Sequence, residues 1–325
     1  MTFPHMRSAP HPPPPCHFWS RQQNNDILMK IYFVSILLLD VAILLVKFML
    51  GMIEAIYLKF VPPPEKSISG SGHGIGRELA LQFASLGATI VCIDINEPNN
   101  KETVKMIAER GYPTAYSFIC DVSSRENVLA LGKEIKEKVG DVTILINNAG
   151  IMPCHPFQSH TEQEIRKMFD INVFAHFWML EVFLPSMIEK NRGHIVGISS
   201  MAGILGLKNL VPYCASKFAV RGMLEALAEE LREDSRNLQI KFTGIFPYMV
   251  DTGLCKRPKV RFPSLLGLVP PPEAARQIVQ AVRRESLEVS IPSHLLFVNN
   301  MFRLFPVKVC RLMKDFLDSG CESHD

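Results

Sequence analysis

The chain has 325 residues, of which 47% are hydrophobic, and a formal net charge of +3 at pH 7. This length allows one α/β domain of roughly 250 residues with flanking segments. The charge is small and has no long run of one sign, so nucleic acid is not an expected partner. The eight cysteines include no Cys-x-x-Cys pair, which disfavours a zinc site or a disulfide framework and indicates a reducing compartment.

The first 60 residues divide into a polar tail and an apolar segment. Residues 1–26 are polar and rich in proline, and we predict that they are disordered. Residues 27–60 are mainly apolar, with Asp40, Lys47 and Glu54 at intervals of seven along one narrow stripe of a helix. A cleaved signal peptide fits poorly, because the apolar run begins late and no small-residue cleavage site follows it. We predict a membrane anchor that spans the bilayer or lies in one leaflet; a buried helix of a soluble protein is the alternative.

After a proline-rich linker at residues 61–68, short apolar segments alternate with helical patterns. Strands are predicted at 88–94, 115–120, 142–147, 193–199, 240–246 and 287–291, and helices at 77–86, 100–110, 125–139, 162–190, 213–235 and 272–285. Strands without polar alternation between helices are typical of a parallel sheet covered on both faces. The expected fold class is therefore α/β, a Rossmann-type doubly wound parallel sheet over residues 69–292.

A glycine-rich turn opens this region, with the sequence Ser69-Gly70-Ser71-Gly72-His73-Gly74-Ile75-Gly76. Glycines at such positions allow a sharp turn, a close backbone approach to a pyrophosphate, and tight packing of the next helix on the sheet. Asp94 ends the following strand, where a carboxylate accepts both ribose hydroxyls of NAD and repels a 2′-phosphate. No cation follows Asp94, and Arg77 is interpreted as a surface residue at the helix start. The pattern predicts NAD rather than NADP.

Tyr213 and Lys217 are four residues apart, so both lie on one face of a helix. A cation held there lowers the pKa of the tyrosine towards the working pH, which suits a general acid–base. Ser200 lies upstream, directly after an apolar run.

In combination, the glycine turn, Asn147-Asn148-Ala149-Gly150, Ser200 and Tyr213-x-x-x-Lys217 closely resemble the classical short-chain dehydrogenase/reductase family. The resemblance implies that Tyr213 transfers a proton to or from the substrate oxygen, while Lys217 lowers its pKa and holds the nicotinamide ribose. Ser200, thirteen residues before Tyr213, would orient and polarise the substrate in preference to its neighbour Ser199. Asn172 would be the asparagine whose helix geometry holds a water in a proton relay to Lys217.

The same resemblance indicates which residues surround the cofactor. They are Gly70, Gly74, Ile75, Gly76, Asp94, Asp121, Asn148, Ala149, Gly150, Tyr213, Lys217, Pro247, Val250 and Thr252. Asp121 would lie near the adenine, although it is also suited to cap the next helix, and Thr252 would contact the nicotinamide amide. No metal is expected, because His155, His160 and His194 are each isolated in the sequence.

The first strand departs from the family pattern. Residues 65–69 stand where five or six apolar residues normally precede the glycine turn, and Glu65 and Lys66 would be buried there at a cost of several kcal/mol. We therefore predict a weakened first strand and impaired cofactor binding. The alternative function is accordingly a catalytically impaired membrane or lipid-droplet protein that retains the anchor.

An N-terminal anchor joined to such a domain resembles the branch that contains the epidermal retinol dehydrogenases and the 17-beta-hydroxysteroid dehydrogenases of types 11 and 13. The resemblance implies a lipophilic alcohol or ketone as substrate, and a homodimer on the endoplasmic reticulum or on lipid droplets, with the catalytic domain facing the cytosol. Residues 293–325 form a basic amphipathic segment that either rests on an anionic membrane or packs on the core or on a twin subunit.

Overall fold

The protein is described by a computed structural model, which covers residues 29–30, 32–49 and 71–323. The chain divides into two compact units, Met1–Val61 and Pro62–Asp325. The predicted tail at 1–26, the linker at 61–68, the first strand at 65–69 and Gly70 lie outside the described residues. The predictions of disorder and of a weakened first strand therefore stay predictions.

In the N-terminal unit, helix α1 spans Tyr32–Met49 and has a mean hydropathy of 2.2. None of it is buried, and its polar residues Asp40 and Lys47 are exposed like the apolar ones. A second segment, Glu162–Glu189, is also long and apolar enough to cross a membrane, but 44% of it is buried. That burial is typical of a core helix in a globular domain.

The second unit alternates helices and strands along its length. In chain order it contains α2 (Gly74–Ser85), β1 (Ile90–Asp94), α3 (Glu97–Glu109), β2 (Ala115–Ile119), α4 (Arg125–Lys138), β3 (Ile144–Asn147), α5 (Glu162–Phe169), α6 (Ala175–Glu189), β4 (Gly193–Ile198), α7 (Val211–Arg232), β5 (Ile240–Pro247), β6 (Pro258–Lys259), α8 (Pro263–Leu266), α9 (Pro271–Arg283), β7 (Glu288–Ile291), α10 (His294–Phe302), α11 (Val307–Leu317) and β8 (Gly320–Cys321). Every predicted strand and helix of the described region is present, with ends shifted by a few residues.

The main strands are parallel, as their apolar character predicts. Strand β1 pairs with β2, and a second set runs in the order β3-β4-β5-β7. Strands β3 and β4 are buried along their whole length, which explains why they lack polar alternation. Ile90 of β1 and Ile146 of β3 belong to one apolar cluster with α2 and α9, so both sets of strands share a core. The doubly wound fold class is confirmed.

The prediction of one continuous helix over residues 162–190 is wrong in its continuity. The helix is interrupted by a π-helical turn over Asp170–Phe174, which separates α5 from α6 and contains Asn172. Such single turns widen the helix locally and recur at functional sites. The reason is tertiary, because the Asn172 side chain is fully buried and hydrogen-bonded to another segment.

The C-terminal segment folds as α10 and α11, and its last strand, β8, pairs antiparallel with β6. Leu295 and Leu296 pack near a cluster of Met201, Ile204 and Phe246, so one face rests on the core. The other face exposes apolar side chains, which include Phe297, Leu304, Val307, Leu312 and Phe316.

Candidate active site

One cavity of about 570 Å³ lies where the carboxyl ends of β1, β3, β4 and β5 meet the start of α2. In a parallel sheet these strand ends share one edge, which is where ligands bind in doubly wound folds. Most of the predicted site residues line this cavity. They are Gly74, Ile75, Asp94, Asp121, Asn148, Ala149, Gly150, Ser200, Tyr213, Lys217, Pro247, Val250 and Thr252. Gly76 is instead buried within α2, as its predicted packing role requires.

The glycine turn is held against the end of β1 by Asp94. One carboxylate oxygen of Asp94 accepts a hydrogen bond from the Gly72 amide at 3.0 Å, and the other accepts one from the Asn96 amide at 2.8 Å. Gly74 has φ of +56°, and a Cβ there would lie 2.9 Å from Cγ2 of Thr252. Only glycine combines this backbone conformation with such a close approach.

Arg77 is not the simple surface residue that the sequence suggested. Its guanidinium donates to the Gly72 carbonyl at 2.8 Å, to the Asn99 carbonyl at 3.3 Å and to Oγ1 of Thr103 at 3.1 Å. The side chain therefore ties the glycine turn to α3. Sequence reasoning missed this role because two of the three partners, Asn99 and Thr103, lie more than twenty residues away in the chain.

Asn100 is a second supporting residue that the sequence did not reveal. Its fully buried side chain donates to the carbonyls of Cys92 and Phe118 at 2.9 and 3.0 Å and accepts from Oγ of Ser71. It thereby joins the glycine turn, β1 and β2. Asparagine in the first turn of a helix normally signals only local capping, so no sequence pattern pointed to these contacts.

Asp121 lines the cavity but does not cap a helix. It accepts hydrogen bonds from the amide and hydroxyl of Ser123, at 3.0 and 2.6 Å, whereas Ser124 caps α4 through the Asn127 amide. Of the two roles considered for Asp121, the helix cap is therefore wrong.

Three of the four predicted catalytic residues, Ser200, Tyr213 and Lys217, line the cavity together. Lys217 is buried, and its ammonium donates to the Ile198 carbonyl at 3.0 Å and lies 5.8 Å from the Tyr213 ring centre. Ser200 lies two residues after the end of β4, and its hydroxyl donates to the Pro247 carbonyl at 3.3 Å. Ser199 instead donates to the backbone carbonyl of Lys217 at 2.8 Å, which leaves Ser200 as the serine beside Tyr213.

Asn172 lies behind this group rather than in the cavity wall. Its side chain exchanges two hydrogen bonds with the backbone of Ile151, at 2.8 and 3.0 Å, and donates to Oγ of Ser216 at 3.1 Å. A Cβ on Gly150 would lie 3.3 Å from Oδ1 of Asn172 and 3.4 Å from Nζ of Lys217. Asn172 therefore fastens the β3 loop to α7 directly beside the lysine.

Burial governs the electrostatics of this group. It lowers the pKa of Lys217 from 10.5 to about 8 and raises the pKa of Tyr213 to about 12, against an opposing hydrogen bond from Ser200. The sequence predicted a lowered pKa for Tyr213, and that prediction is wrong. Desolvation of a fully buried phenol disfavours the phenolate, and the lysine ammonium is directed at the Ile198 carbonyl.

His176, in the first turn of α6, also lines the cavity and was missed by sequence reasoning. It is buried, and neither ring nitrogen has a hydrogen-bond partner within residues 71–323. Burial, assisted by the positive charge of Lys217, lowers its pKa to about 3. The imidazole is therefore neutral at physiological pH.

Part of the cavity wall is apolar, and the segment around β8 contributes to it. Met152, Leu207, Leu210 and Leu254 line it, and so does Cys321 of β8. The pairing of β8 with β6 has no signal in the sequence, since both strands are two residues long.

The three histidines differ from one another. His194 is buried between β4 and β5 and contacts Oγ1 of Thr243 at 2.8 Å, as expected for a structural residue. The prediction that His155 and His160 are isolated is wrong, because their ring centres are 5.1 Å apart and both approach Glu164.

Comparison with known proteins identifies the family of this chain. The family model described as short chain dehydrogenase matches residues 67–259. The chain is 38% identical to mouse (Mus musculus) epidermal retinol dehydrogenase 2 over 86% of its length and 92% of that protein. It is 35% identical to human (Homo sapiens) estradiol 17-beta-dehydrogenase 11, over 85% of this chain and 93% of the relative.

A solved structure supports the fold. A short chain dehydrogenase/reductase from Burkholderia phymatum, in complex with NAD, superposes with a TM-score of 0.66 over 81% of this chain and 98% of that one, at 23% identity. The family model covers more than half of the chain, and the curated relatives match nearly their full length. The chain therefore belongs to the short-chain dehydrogenase family.

Proposed function

We propose that the protein is an NAD-dependent oxidoreductase that transfers a hydride between NAD(H) and a lipophilic alcohol or ketone. The observation that carries the proposal is one cavity whose wall includes Asp94 together with Ser200, Tyr213 and Lys217. The supporting relatives are named as a retinol dehydrogenase and an estradiol dehydrogenase.

The residues present fit a nicotinamide dinucleotide. Gly74 leaves a space that a Cβ would fill, and the start of α2 lines the cavity, where backbone amides favour a pyrophosphate. Asp94 stands where ribose hydroxyls would bind. Its carboxylate faces two amides, and Arg77 directs its guanidinium to three other acceptors rather than towards a 2′-phosphate. These contacts favour NAD over NADP.

The chemistry assigned to the chain's own residues is proton transfer and positioning. The bound nicotinamide would accept or supply the hydride. Tyr213 would exchange a proton with the substrate oxygen, and Ser200, its hydrogen-bonding neighbour, would orient that oxygen. Lys217 would hold the ribose and, when charged, favour the phenolate. Asn172 keeps the loop at Gly150 fixed against the lysine.

The lipophilic substrate class rests on the apolar lining supplied by Met152, Leu207, Leu210 and Leu254. The membrane location rests on two features. Helix α1 is long and apolar enough to cross a bilayer, and α10–α11 expose Phe297, Leu304, Leu312 and Phe316 in the same segment as basic Lys308, Arg311 and Lys314. We propose attachment to the endoplasmic reticulum or lipid droplets, with the catalytic unit in the cytosol. Exposed Phe174, Phe177 and Phe218 on and beside α6 and α7 support a homodimer.

The deciding experiment measures NAD binding and the oxidation of retinol and estradiol by the full-length protein in detergent, beside a Tyr213→Phe variant. We expect saturable NAD binding in both proteins, and turnover that the variant loses while its NAD affinity stays within a few fold. No NAD binding by a folded, membrane-bound wild type would overturn the proposal and favour the impaired protein that residues 65–69 suggested.

A further inference from the structure

Three side chains of metal-ligating type meet outside the cavity. His155, His160 and Glu164 each offer one ligand atom, and these atoms all lie within 4.8 Å of one another. None of the three lines the cavity that holds Tyr213 and Lys217. The cluster is therefore separate from the proposed chemistry.

Local folding brings the three together. A 3₁₀ turn over Phe157–Ser159 reverses the chain between β3 and α5, which places the His155 and His160 rings edge to face. Thr161 caps α5, and Glu164 completes the capping box by accepting from the Thr161 amide at 3.0 Å through Oε2. That bond fixes the carboxylate so that Oε1 lies 3.5 Å from Nε2 of His155. An oriented carboxylate beside two imidazoles is the arrangement that second-shell contacts produce in metal sites.

His160 gives a second indication of a bound ligand, separate from the clustering of the three side chains. Its side chain is 0% exposed, and neither ring nitrogen has a hydrogen-bond partner within residues 71–323. Burying a polar group without a partner is costly, so nearly all such groups in folded proteins are satisfied. A neutral imidazole has one free lone pair, and a metal ion bound beside Glu164 would occupy it.

We propose that His155, His160 and Glu164 bind one Zn²⁺ ion, with water in the fourth position. Zinc ligand distances of about 2.0–2.2 Å place neighbouring ligand atoms of a tetrahedral site roughly 3.4 Å apart. In the structure, one ligand atom from each residue lies within 4.8 Å of the other two, and Nε2 of His155 lies 3.5 Å from Oε1 of Glu164. The three ligand atoms would move closer together by up to about 1.4 Å when the metal binds. Two imidazoles and one carboxylate are a known zinc donor set, whereas Mg²⁺ and Ca²⁺ prefer oxygen ligands.

Zinc at this position would act on the loop that follows β3. The same loop carries Ile151, whose backbone is hydrogen-bonded to Asn172, and Met152, which lines the cavity. A metal that joins His155 to Glu164 would fasten this loop to α5. Binding to the folded state alone raises stability with ligand concentration, so zinc should raise the melting temperature.

The test uses full-length protein without a histidine tag, freed of metal with a chelator and held in detergent. Zinc is titrated calorimetrically into the wild type, Glu164→Gln and Glu162→Gln. Glutamine at position 164 keeps the size of the side chain and an oxygen for the Thr161 amide, but it loses the charge. Glu162 is exposed two residues earlier in α5 and serves as the matched control.

We expect wild type and Glu162→Gln to bind one zinc equivalent that raises the melting temperature. Glu164→Gln should bind it more than about tenfold more weakly, which is the lower end of the loss seen even for outer-shell changes. A His155→Gln variant, altered at a more exposed ligand, should lose the same equivalent. Mg²⁺ should have no effect on any of the four proteins.

The thiols Cys255 and Cys321, whose sulfurs are 3.0 Å apart, are alternative zinc ligands that the test has to separate from the histidine cluster. Co²⁺ distinguishes the two, because thiolate ligation gives an intense near-ultraviolet charge-transfer band that imidazole and carboxylate ligands lack. We expect visible cobalt bands without that charge-transfer band, and their loss in Glu164→Gln and His155→Gln. Equal zinc affinity and stoichiometry in wild type and both variants, or a cobalt spectrum with only thiolate character, would overturn the proposal.

Discussion

Mild acid should destabilise this protein through His176. The side chain is buried, its ring nitrogens have no hydrogen-bond partner in the part of the chain that the structure describes, and it lies near the positive charge of Lys217. Burial first and Lys217 second lower its pKa from 6.5 to about 3 in the folded state. The perturbation is a shift of the cofactor-free protein from pH 7 to pH 5.

The direction of the pH effect on stability follows from the number of protons that each state binds. Between pH 6.5 and about 3 the unfolded chain binds a proton at His176 that the folded protein excludes, so the free energy of unfolding falls as the pH falls through this window. Each pH unit within it costs about 1.4 kcal/mol. The 1.5 pH units between 6.5 and 5 therefore lower the free energy of unfolding by roughly 2 kcal/mol through this one residue. Above pH 6.5 His176 is neutral in both states and this loss of stability disappears.

The assay is denaturant unfolding at pH 7 and pH 5 for the wild type, His176→Leu and His294→Gln. Leucine removes the titrating ring without breaking a hydrogen bond to another described residue. His294 is exposed at the start of α10 and serves as the control. We expect wild type and His294→Gln to lose about 2 kcal/mol more than His176→Leu on acidification. Equal losses in wild type and His176→Leu would show that His176 titrates normally in the fold, which would refute the reasoning.

Two further predictions concern the cavity. Asp94→Ala should weaken NAD binding and raise NADP affinity relative to NAD by roughly tenfold, because a carboxylate beside the ribose is worth about 1–2 kcal/mol against a phosphate; fluorescence titration measures both affinities, and an unchanged ratio would contradict the placement of Asp94. Gly150→Ala should cut turnover by more than about tenfold with little change in stability, since its Cβ would approach Lys217 and Asn172 at 3.4 and 3.3 Å. Normal turnover of that variant would mean that the lysine tolerates displacement.

The sequence alone was sufficient for the fold class and for most of the cavity wall. Strands such as Ile90–Asp94 and Gly193–Ile198 are mainly apolar because helices cover both faces of the sheet. This pattern can be recognised in the sequence alone. Tyr213 and Lys217 follow from helical periodicity. Glycines beside Asp94 follow from the steric demands of the turn.

Only the tertiary structure decided the features that depend on residues far apart in the chain. These include the π-helical turn at Asn172, the hydrogen bonds of Arg77 and Asn100, the burial of His176 and the meeting of His155 with His160. The pKa of Tyr213 belongs with them, since spacing to Lys217 predicted a lowered value whereas burial raises it. Periodicity reports which face of an element is apolar, but desolvation and hydrogen bonding depend on what the rest of the chain packs against that face.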